Sequence, residues 1–375
     1  MTERQTYPER RILHIASQDT WRGGEQQVSY LVDELRHYHC LQWVLCSEGN
    51  AMEIYCQQNG IPNYSYKKGF SRHLRNRKLL NDICERHAID VIHVHDSVSH
   101  TLAYMSALYG NQSAIIVSRR VDFNVCNNRF SKRKYNNNSI VKYICVSEKI
   151  RDILGQCVTD HSKLEVVHSG VDLSRFEGKT QTGILRKDFQ ISESELLIGN
   201  VAALADHKDY YTFVNTAEVL TRQGINARFL IIGEGPLEDE LKKYISSKNL
   251  SNKILFTGFR NDIPDILPEL DVFLFTSKTE GLGTSILDAM ACGVPVVSTN
   301  AGGIPEIVTH NENGLLADVG DSEQLSAAII RLTRDTEFKK QIVINARHQL
   351  LNKFTKEEMA RKTYLIYREV YYSQG

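Results

Sequence analysis

Short apolar runs of strand length alternate with amphipathic helical stretches along the whole chain, and this alternation restricts the fold more than any other feature. RILHIAS (11–17), LQWVLCS (41–47), VIHVH (91–95), AIIVS (114–118) and YICVS (143–147) read as strands, with a glycine turn at Gly23-Gly24 and a helix near 25–38 after the first. Such a series specifies a parallel sheet with helices on both faces. The pattern restarts at LLIGNVAAL (196–204) and runs through ARFLIIG (227–233), KILFTG (253–258), DVFLFTS (271–277) and PVVST (295–299), with helices near 209–223, 236–248, 284–292 and 322–333. A chain of 375 residues exceeds what one core usually serves, so two domains are expected. The polar stretch SGVDLSRFEGKTQTG places the boundary near 170–185, giving domains of 1–175 and 176–354. A last helical segment, about 355–372, is open to packing on either. The expected class is α/β, two Rossmann-like doubly wound domains facing across a cleft. Ligands in such sheets bind beyond the carboxyl ends of the strands.

Composition narrows the setting. Apolar residues make up 42% and charged residues 24%, as in ordinary globular proteins. No apolar run reaches membrane-spanning length, and the N-terminal MTERQTYPERR has no signal-peptide core, so a cytoplasmic protein is expected. Eight cysteines at irregular spacing, without C-x-x-C, read as free and mostly buried thiols of a reducing compartment. The net charge is zero, but residues 1–176 carry +5 and the remainder −5. The basic clusters at 67–78, 119–120 and 129–134 suit a solvated surface, or one for an anionic acceptor or the inner face of a membrane. They lack interleaved aromatics and any reader motif, which argues against nucleic acid.

The richest stretch is SKTEGLGTSILDAMACGVPVV, from Ser277 to Val297. A buried strand runs into a glycine turn, Gly281-Leu282-Gly283, and a helix starts near Thr284. The glycines let backbone approach a ligand, and free N–H groups at the helix start favour an anion, with a diphosphate the obvious candidate. Glu280 precedes this anion site and suits sugar hydroxyls better than phosphate. Asp288 lies one turn on from Thr284, on the same face, where a carboxylate can hold two ribose hydroxyls. Taken singly, each acid could instead be a helix N-terminal carboxylate stabilised by the dipole.

This segment resembles the E-x7-E signature of family 4 of the retaining glycosyltransferases, which have the GT-B fold. The likeness extends to GVPVVSTNAGGIPEIV (293–308), NGLL (313–316), GEGP (233–236) and TGFRNDI (257–263), and in the first half to GGEQQ (23–27), VSEKI (146–150) and HSGVD (168–172). The resemblance implies transfer of a hexose-type sugar from a nucleotide-diphosphate sugar, with a UDP-sugar favoured, to a glycan, glycolipid or phosphorylated acceptor in cell-surface polysaccharide or lipopolysaccharide synthesis. It implies no cofactor and no metal, and no D-x-D motif follows a strand. Glu280 would contact the donor sugar, Gly281, Leu282, Gly283 and Thr284 the diphosphate, and Asp288 the ribose. Lys208 would neutralise the leaving diphosphate. Gly233, Phe259 and Arg260 would line the donor site, and Gly23 and Gly24 would meet the donor phosphates. The final helix, 355–375, would pack back on the first domain.

The chain departs from the pattern in three places. The second acid is Asp288 rather than Glu, Ala202-Ala203-Leu204 stands where many relatives carry Arg, and VSRRVDF (117–123) stands where several carry His. Arg119 and Arg120 are therefore candidates for an anionic acceptor or the donor phosphates. In HVHD (93–96), His93 and His95 face the same side of a strand. They read as packed strand-end residues, as two metal ligands without a third in sequence reach, or as a cleft site in which His95 or Asp96 meets substrate hydroxyls. His95 thus joins Glu280 and Lys208 as a catalytic candidate. The rival readings are a GT-B nucleotide-sugar epimerase or phosphorylase, a non-catalytic nucleotide-sugar-binding protein, and a nicotinamide-dependent oxidoreductase, the last opposed by the lack of G-x-G-x-x-G after the first strand.

Overall fold

The computed structural model describes residues 10–69 and 73–373. The N-terminal stretch before Arg10 and residues 70–72 of the first basic cluster lie outside the described residues. The chain divides into two compact units, one running to Gly170 and resuming at Lys356, the other spanning Val171–Thr355.

In the first unit the strands are β1 (Arg10–Ala16), β2 (Cys40–Ser47), β3 (Asn63–Tyr66), β4 (Val91–Val94), β5 (Ala114–Arg119), β6 (Ile140–Cys145) and β7 (Leu164–Val166). Between them run α1 (Gly23–Leu35), α2 (Ala51–Gln58), α3 (His73–His87), α4 (Ser97–Leu108), α5 (Arg129–Tyr135) and α6 (Glu148–Gly155). All pairings are parallel, in the order β3-β2-β1-β4-β5-β6-β7. The strand order reverses between β1 and β4, which sets the ligand end of this sheet beyond those two strands. Asn50, Asp96, Asn128 and Ser147 each cap the helix that follows by accepting a backbone N–H.

The second unit holds β8 (Leu196–Val201), β9 (Ala227–Ile232), β10 (Ile254–Gly258), β11 (Val272–Phe275), β12 (Val296–Thr299) and β13 (Leu315–Ala317) in the order β10-β9-β8-β11-β12-β13. Its helices are α7 (Ile184–Asp188), α8 (Tyr210–Arg222), α9 (Glu238–Ser247), α10 (Ile263–Ile266), α11 (Thr284–Ala291), α12 (Ile304–Ile307), α13 (Ser322–Arg334) and α14 (Thr336–Lys353). Here the order reverses between β8 and β11. One core joins Ile198, Phe213, Phe229, Leu274 and Ile329, all fully buried.

The closing helix α15 (Lys356–Ser373) belongs to the first unit. Its Ala360, Ile366, Tyr367 and Val370 pack with Leu31 and Leu35 of α1 over Ile12 and Ile116 of the sheet. Each Ile, Leu or Val among them contributes ~1.5–3 kcal/mol on full burial. Lys356 and Glu34 add an ion pair of 3.2 Å.

Strands β3, β7 and β13 were not announced by the apolar alternation. They are the edge strands of their sheets, only three or four residues long. An edge strand is backed on one flank alone and needs no long apolar run. The expectation of free thiols also needs correction, because Cys126 and Cys157 are disulfide-bonded with Cα atoms 5.6 Å apart. The loop after β5 meets the end of α6, a proximity that a separation of 31 residues does not reveal. The other six cysteines are free.

Candidate functional site

In the second unit the expected residues gather beyond β8 and β11. Lys208 ends a short 3-10 turn after β8, and Glu280 follows β11. Thr276 Oγ1 donates to the carbonyls of Lys208 and Asp209 at 3.1 and 3.0 Å, and the Lys278 N–H donates to His207 at 2.8 Å, so the two loops are stitched together. Lys208 Nζ reaches Glu280 Oε2 at 2.5 Å, with both side chains about one-sixth exposed or less, and Ser277 Oγ donates to the same oxygen at 3.3 Å.

The Glu280 backbone is fixed as firmly as its side chain. Its carbonyl accepts the Gly303 N–H at 2.9 Å. Gly302 has φ +55, and a Cβ there would stand 2.0 Å from that same carbonyl oxygen, so no other residue fits. Gly283, at φ +95, turns the chain into α11, whose first residue is Thr284. Gly281, Leu282 and Gly283 are buried.

Asp288, one turn along α11, is part-buried. Burial pushes its carboxyl up to about 6, and the positive charge of Arg175 pulls the other way. Gly233, at φ +140, backs onto Ala202, and a Cβ on Gly235 would meet the Leu204 carbonyl at 2.5 Å. Ala202-Ala203-Leu204 is thus clamped by GEGP. Phe259 is largely exposed. Arg260 is held by Asp262 through two bonds of 2.8 and 2.5 Å and by Asp188 at 3.2 Å, so it braces its loop rather than offering a free cation.

In the first unit a polar stripe crosses the sheet face beneath α1 and α15. His14 of β1 pairs in register with His93 of β4, and the side chains two residues further on repeat the facing. His14 Nδ1 lies 3.0 Å from His95 Nε2, and His14 Nε2 lies 3.2 Å from Gln42 Oε1. His93 bonds Tyr367 of α15 at 2.5 Å and Ser118 at 2.8 Å. Burial holds His14 down to about 4 and His93 and His95 well below the usual imidazole range.

Sequence reach alone gave no third imidazole, but register supplies one, and the ligand nitrogens of His14, His93 and His95 lie within 4.8 Å of one another. These are the residues that could hold a metal. The same nitrogens bond one another and their neighbours, and the Arg120 guanidinium stands 3.5 Å from His95 Nδ1, which opposes a cation.

Three acceptor-side expectations separate here. Asp96 takes up the Ser17 N–H and Oγ–H and the N–H groups of Val98 and Ser99, plus the Ser99 hydroxyl, at 2.6–2.9 Å. It is the cap of α4, and its carboxylate is engaged within the protein. Arg119 turns to the other face, is buried, donates to the Phe123 carbonyl at 2.8 Å and lies over its ring, so it braces the turn after β5. Arg120 alone stays with the histidines, facing the charges of Glu25 and Asp96, and burial lowers it to about 10. Its buried Nε has no hydrogen-bond partner. Gly23 and Gly24 open α1 nearby in the fold of this unit, and a Cβ on Gly24 would meet nothing within 4 Å.

The residues the sequence reading missed are His14, Gln42, Ser118 and Tyr367 around His95, and Gly302 and Gly303 around Glu280. A histidine inside the apolar run RILHIAS was the available signal for the first group.

Comparison with known proteins fits this geometry. Residues 21–175 match the model of Glycosyltransferase Family 4 and residues 182–349 that of Glycosyl transferases group 1. The N-acetyl-alpha-D-glucosaminyl L-malate synthase of Bacillus anthracis is 25% identical over 329 residues, covering 84% of both chains. The UDP-Gal:alpha-D-GlcNAc-diphosphoundecaprenol alpha-1,3-galactosyltransferase of Escherichia coli is 24% identical over 327 residues, covering 83% of this chain and 84% of its own. Anabaena HepE, solved with UDP and glucose, superposes with a TM-score of 0.84 at 21% identity over 95% of this chain and 99% of its own. With two doubly wound parallel sheets and family matches that between them span most of its length, the chain belongs to the family 4 glycosyltransferases of GT-B fold.

Proposed function

We propose that the protein is a retaining, metal-independent glycosyltransferase that moves a hexose-type sugar from a UDP-sugar to an anionic glycan or glycolipid acceptor in cell-surface polysaccharide or lipopolysaccharide synthesis. The observation that carries this reading is the ion pair of Lys208 and Glu280 at the entrance to α11. A sugar leaving a diphosphate needs positive charge where negative charge develops. Lys208 and the first N–H groups of α11 supply it without a metal. Glu280 then turns to the sugar hydroxyls, and Asp288 to the ribose. A UDP-sugar is favoured by HepE, which was solved with UDP-glucose.

The anionic acceptor is favoured by Arg120, and by the names of the two relatives, one joined to malate and the other to a diphosphate-linked lipid. Exposed Val121, Phe123 and Phe130 beside Arg129, Lys132 and Arg133 support peripheral contact with an anionic membrane. In the proposed front-face route the acceptor proton passes to the leaving phosphate oxygen on the same face as attack. A covalent glycosyl-enzyme trapped on Glu280 or Asp122 contradicts that route.

The test uses radiolabelled UDP-hexoses in EDTA with extracted lipid-linked acceptors, and assigns the product anomer by NMR. Transfer in EDTA with the donor's configuration kept supports the reading. An inverted product removes the retaining assignment, and release of free or epimerised nucleotide sugar without transfer favours an epimerase.

A further inference from the structure

The polar stripe under α1 is a chain whose polarity is fixed at both ends. Gln42 Nε2 donates to the Val32 carbonyl at 3.0 Å. A carbonyl only accepts, so the amide oxygen of Gln42 must face His14. His14 Nε2 therefore carries a hydrogen and donates to it. The 3.0 Å contact of His14 Nδ1 with His95 Nε2 holds one hydrogen, and His95 Nε2 supplies it, because the other ring nitrogen of His95 faces a guanidinium. That leaves the His95 Nδ1 lone pair facing Arg120 Nη1 at 3.5 Å, and Nη1 also stands 3.5 Å from the His95 carbonyl. A guanidinium only donates. Reading from either end gives the same assignment.

We infer that Gln42 and His14 are positioning residues, which fix the His95 tautomer so that Arg120 is held by one nitrogen and keeps the rest of its fork for the anionic group of the acceptor. The inference rests on the anionic-acceptor reading given above. Three features support it beyond the chain itself. Asp96, one of the two acids facing Arg120, is consumed by five hydrogen bonds from Ser17, Val98 and Ser99. Glu25, the other, accepts the Arg22 N–H at 3.2 Å, and burial raises its pKa. Arg120 Nε is buried without a partner. A guanidinium so placed gains from an incoming phosphate or carboxylate, and the bidentate geometry of that pair rewards a preset fork.

The same logic says what breaks the device. The groups facing His14 and His95 are His93, Arg120, Gln42 and, through His93, Tyr367. None is an anion. In Gln42→Glu a carboxylate replaces the amide oxygen and favours the imidazolium of His14. His14 Nδ1 then donates to His95 Nε2, the proton of His95 moves to Nδ1, and two donors meet at Arg120.

The experiment uses the full chain labelled with 15N histidine, and follows imidazole nitrogens by long-range correlation at neutral pH while inorganic phosphate is titrated as the anion probe. The wild type is expected to show His14 and His95 neutral, each protonated on Nε2, and to bind phosphate, read as a shift of the His95 nitrogens, in a manner lost in Arg120→Ala. Gln42→Glu is expected to show His95 protonated on Nδ1 and to bind phosphate about tenfold more weakly, with Gln42→Leu, a neutral variant, in between. An Nδ1-protonated His95 in the wild type overturns the chain. An inverted tautomer with unchanged phosphate affinity overturns the positioning role. A phosphate response at the His95 nitrogens that survives Arg120→Ala, or none there in the wild type, instead defeats the anionic-acceptor reading, and phosphate held by Lys208 and α11 leaves those nitrogens unmoved. If Gln42→Glu does not fold, the wild-type tautomers and Gln42→Leu still decide.

Discussion

Lys208 Nζ stands 2.5 Å from Glu280 Oε2, and the two residues come from either side of the point where the second sheet reverses its strand order. The lysine assigned to the diphosphate is thus already neutralised by the acid assigned to the sugar. On the proposed reading, an arriving nucleotide draws Lys208 away from Glu280, and the sugar then gives the freed carboxylate new partners.

This pairing separates the two roles in one substitution. Glu280→Gln removes a negative charge beside the diphosphate and releases Lys208. Sugar transfer is expected to fall by at least 100-fold, about the loss of one preorganised contact, while UDP itself binds as tightly as before or a few-fold more tightly. Calorimetric titration with UDP, alongside transfer rates, checks both halves. A Glu280→Gln protein that loses UDP affinity and rate together makes Glu280 a part of the nucleotide site instead.

Asp288 sets function against stability. Its carboxyl is raised from 3.8 to about 6 by burial, so the folded state holds a proton that the unfolded state has released. Stability from this group is full below about 4 and is lost as pH rises through 6, at a cost of up to about 3 kcal/mol at neutral pH. Asp288→Asn is therefore expected to raise the melting temperature at pH 7 and to weaken UDP binding, because the amide loses the charge and one of the two acceptor oxygens that would face the ribose hydroxyls. Wild-type UDP affinity should climb between pH 5 and 7 for the same reason. A variant that is no more stable, or that binds UDP normally at pH 7, removes the ribose assignment.

The first unit carries the opposite linkage. His14, lowered to about 4, and His93, His95 and His100, held well below the usual imidazole range by burial, stay neutral while the unfolded chain takes up protons below about 6.5. Stability is complete above 6.5 and falls as the pH drops towards 4, by about 3 kcal/mol for His14 alone. Thermal unfolding in the Asp288→Asn background, which lacks the contrary drift, should show the midpoint falling from pH 7 to pH 5. A flat profile would mean that the histidines are already charged in the folded protein.

Phe123 and Phe130 are more than half or about half exposed beside the basic α5. Vesicles rich in anionic lipid should bind the protein at low salt and release it at high salt, and a Phe123→Ser/Phe130→Ser double variant should bind about tenfold more weakly by sedimentation. Equal binding to neutral vesicles, or none to anionic ones, contradicts the membrane contact.

What the sequence disclosed, and what it hid, follows from how local each signal is. The strand ends carrying Lys208 and Glu280 were readable because an apolar run, a glycine turn and a helix start lie in one continuous stretch. Asp288 followed from helical spacing alone. The His14 partner of His93 was not readable, since it depends on β1 pairing with β4 rather than with its neighbour in sequence, a choice made by the whole sheet. Arg119 and Arg120 looked alike in sequence, and strand parity sends them to opposite faces, one to brace Phe123 and the other to the histidines. The capping role of Asp96 was not legible, because a carboxylate after a strand looks the same in sequence whether it caps a helix or meets a sugar. The Cys126–Cys157 bond joins two loops that no periodicity connects.

The proposed transfer depends on a metal-free diphosphate site built on Lys208. Its most direct test is calorimetric titration of UDP in EDTA into the wild type and Lys208→Ala, with transfer from a UDP-hexose measured in parallel. UDP is expected to bind in EDTA, at least tenfold more weakly in Lys208→Ala, with turnover down roughly 100-fold. UDP binding and turnover that survive Lys208→Ala, or that vanish in EDTA and return with a divalent cation, would contradict it.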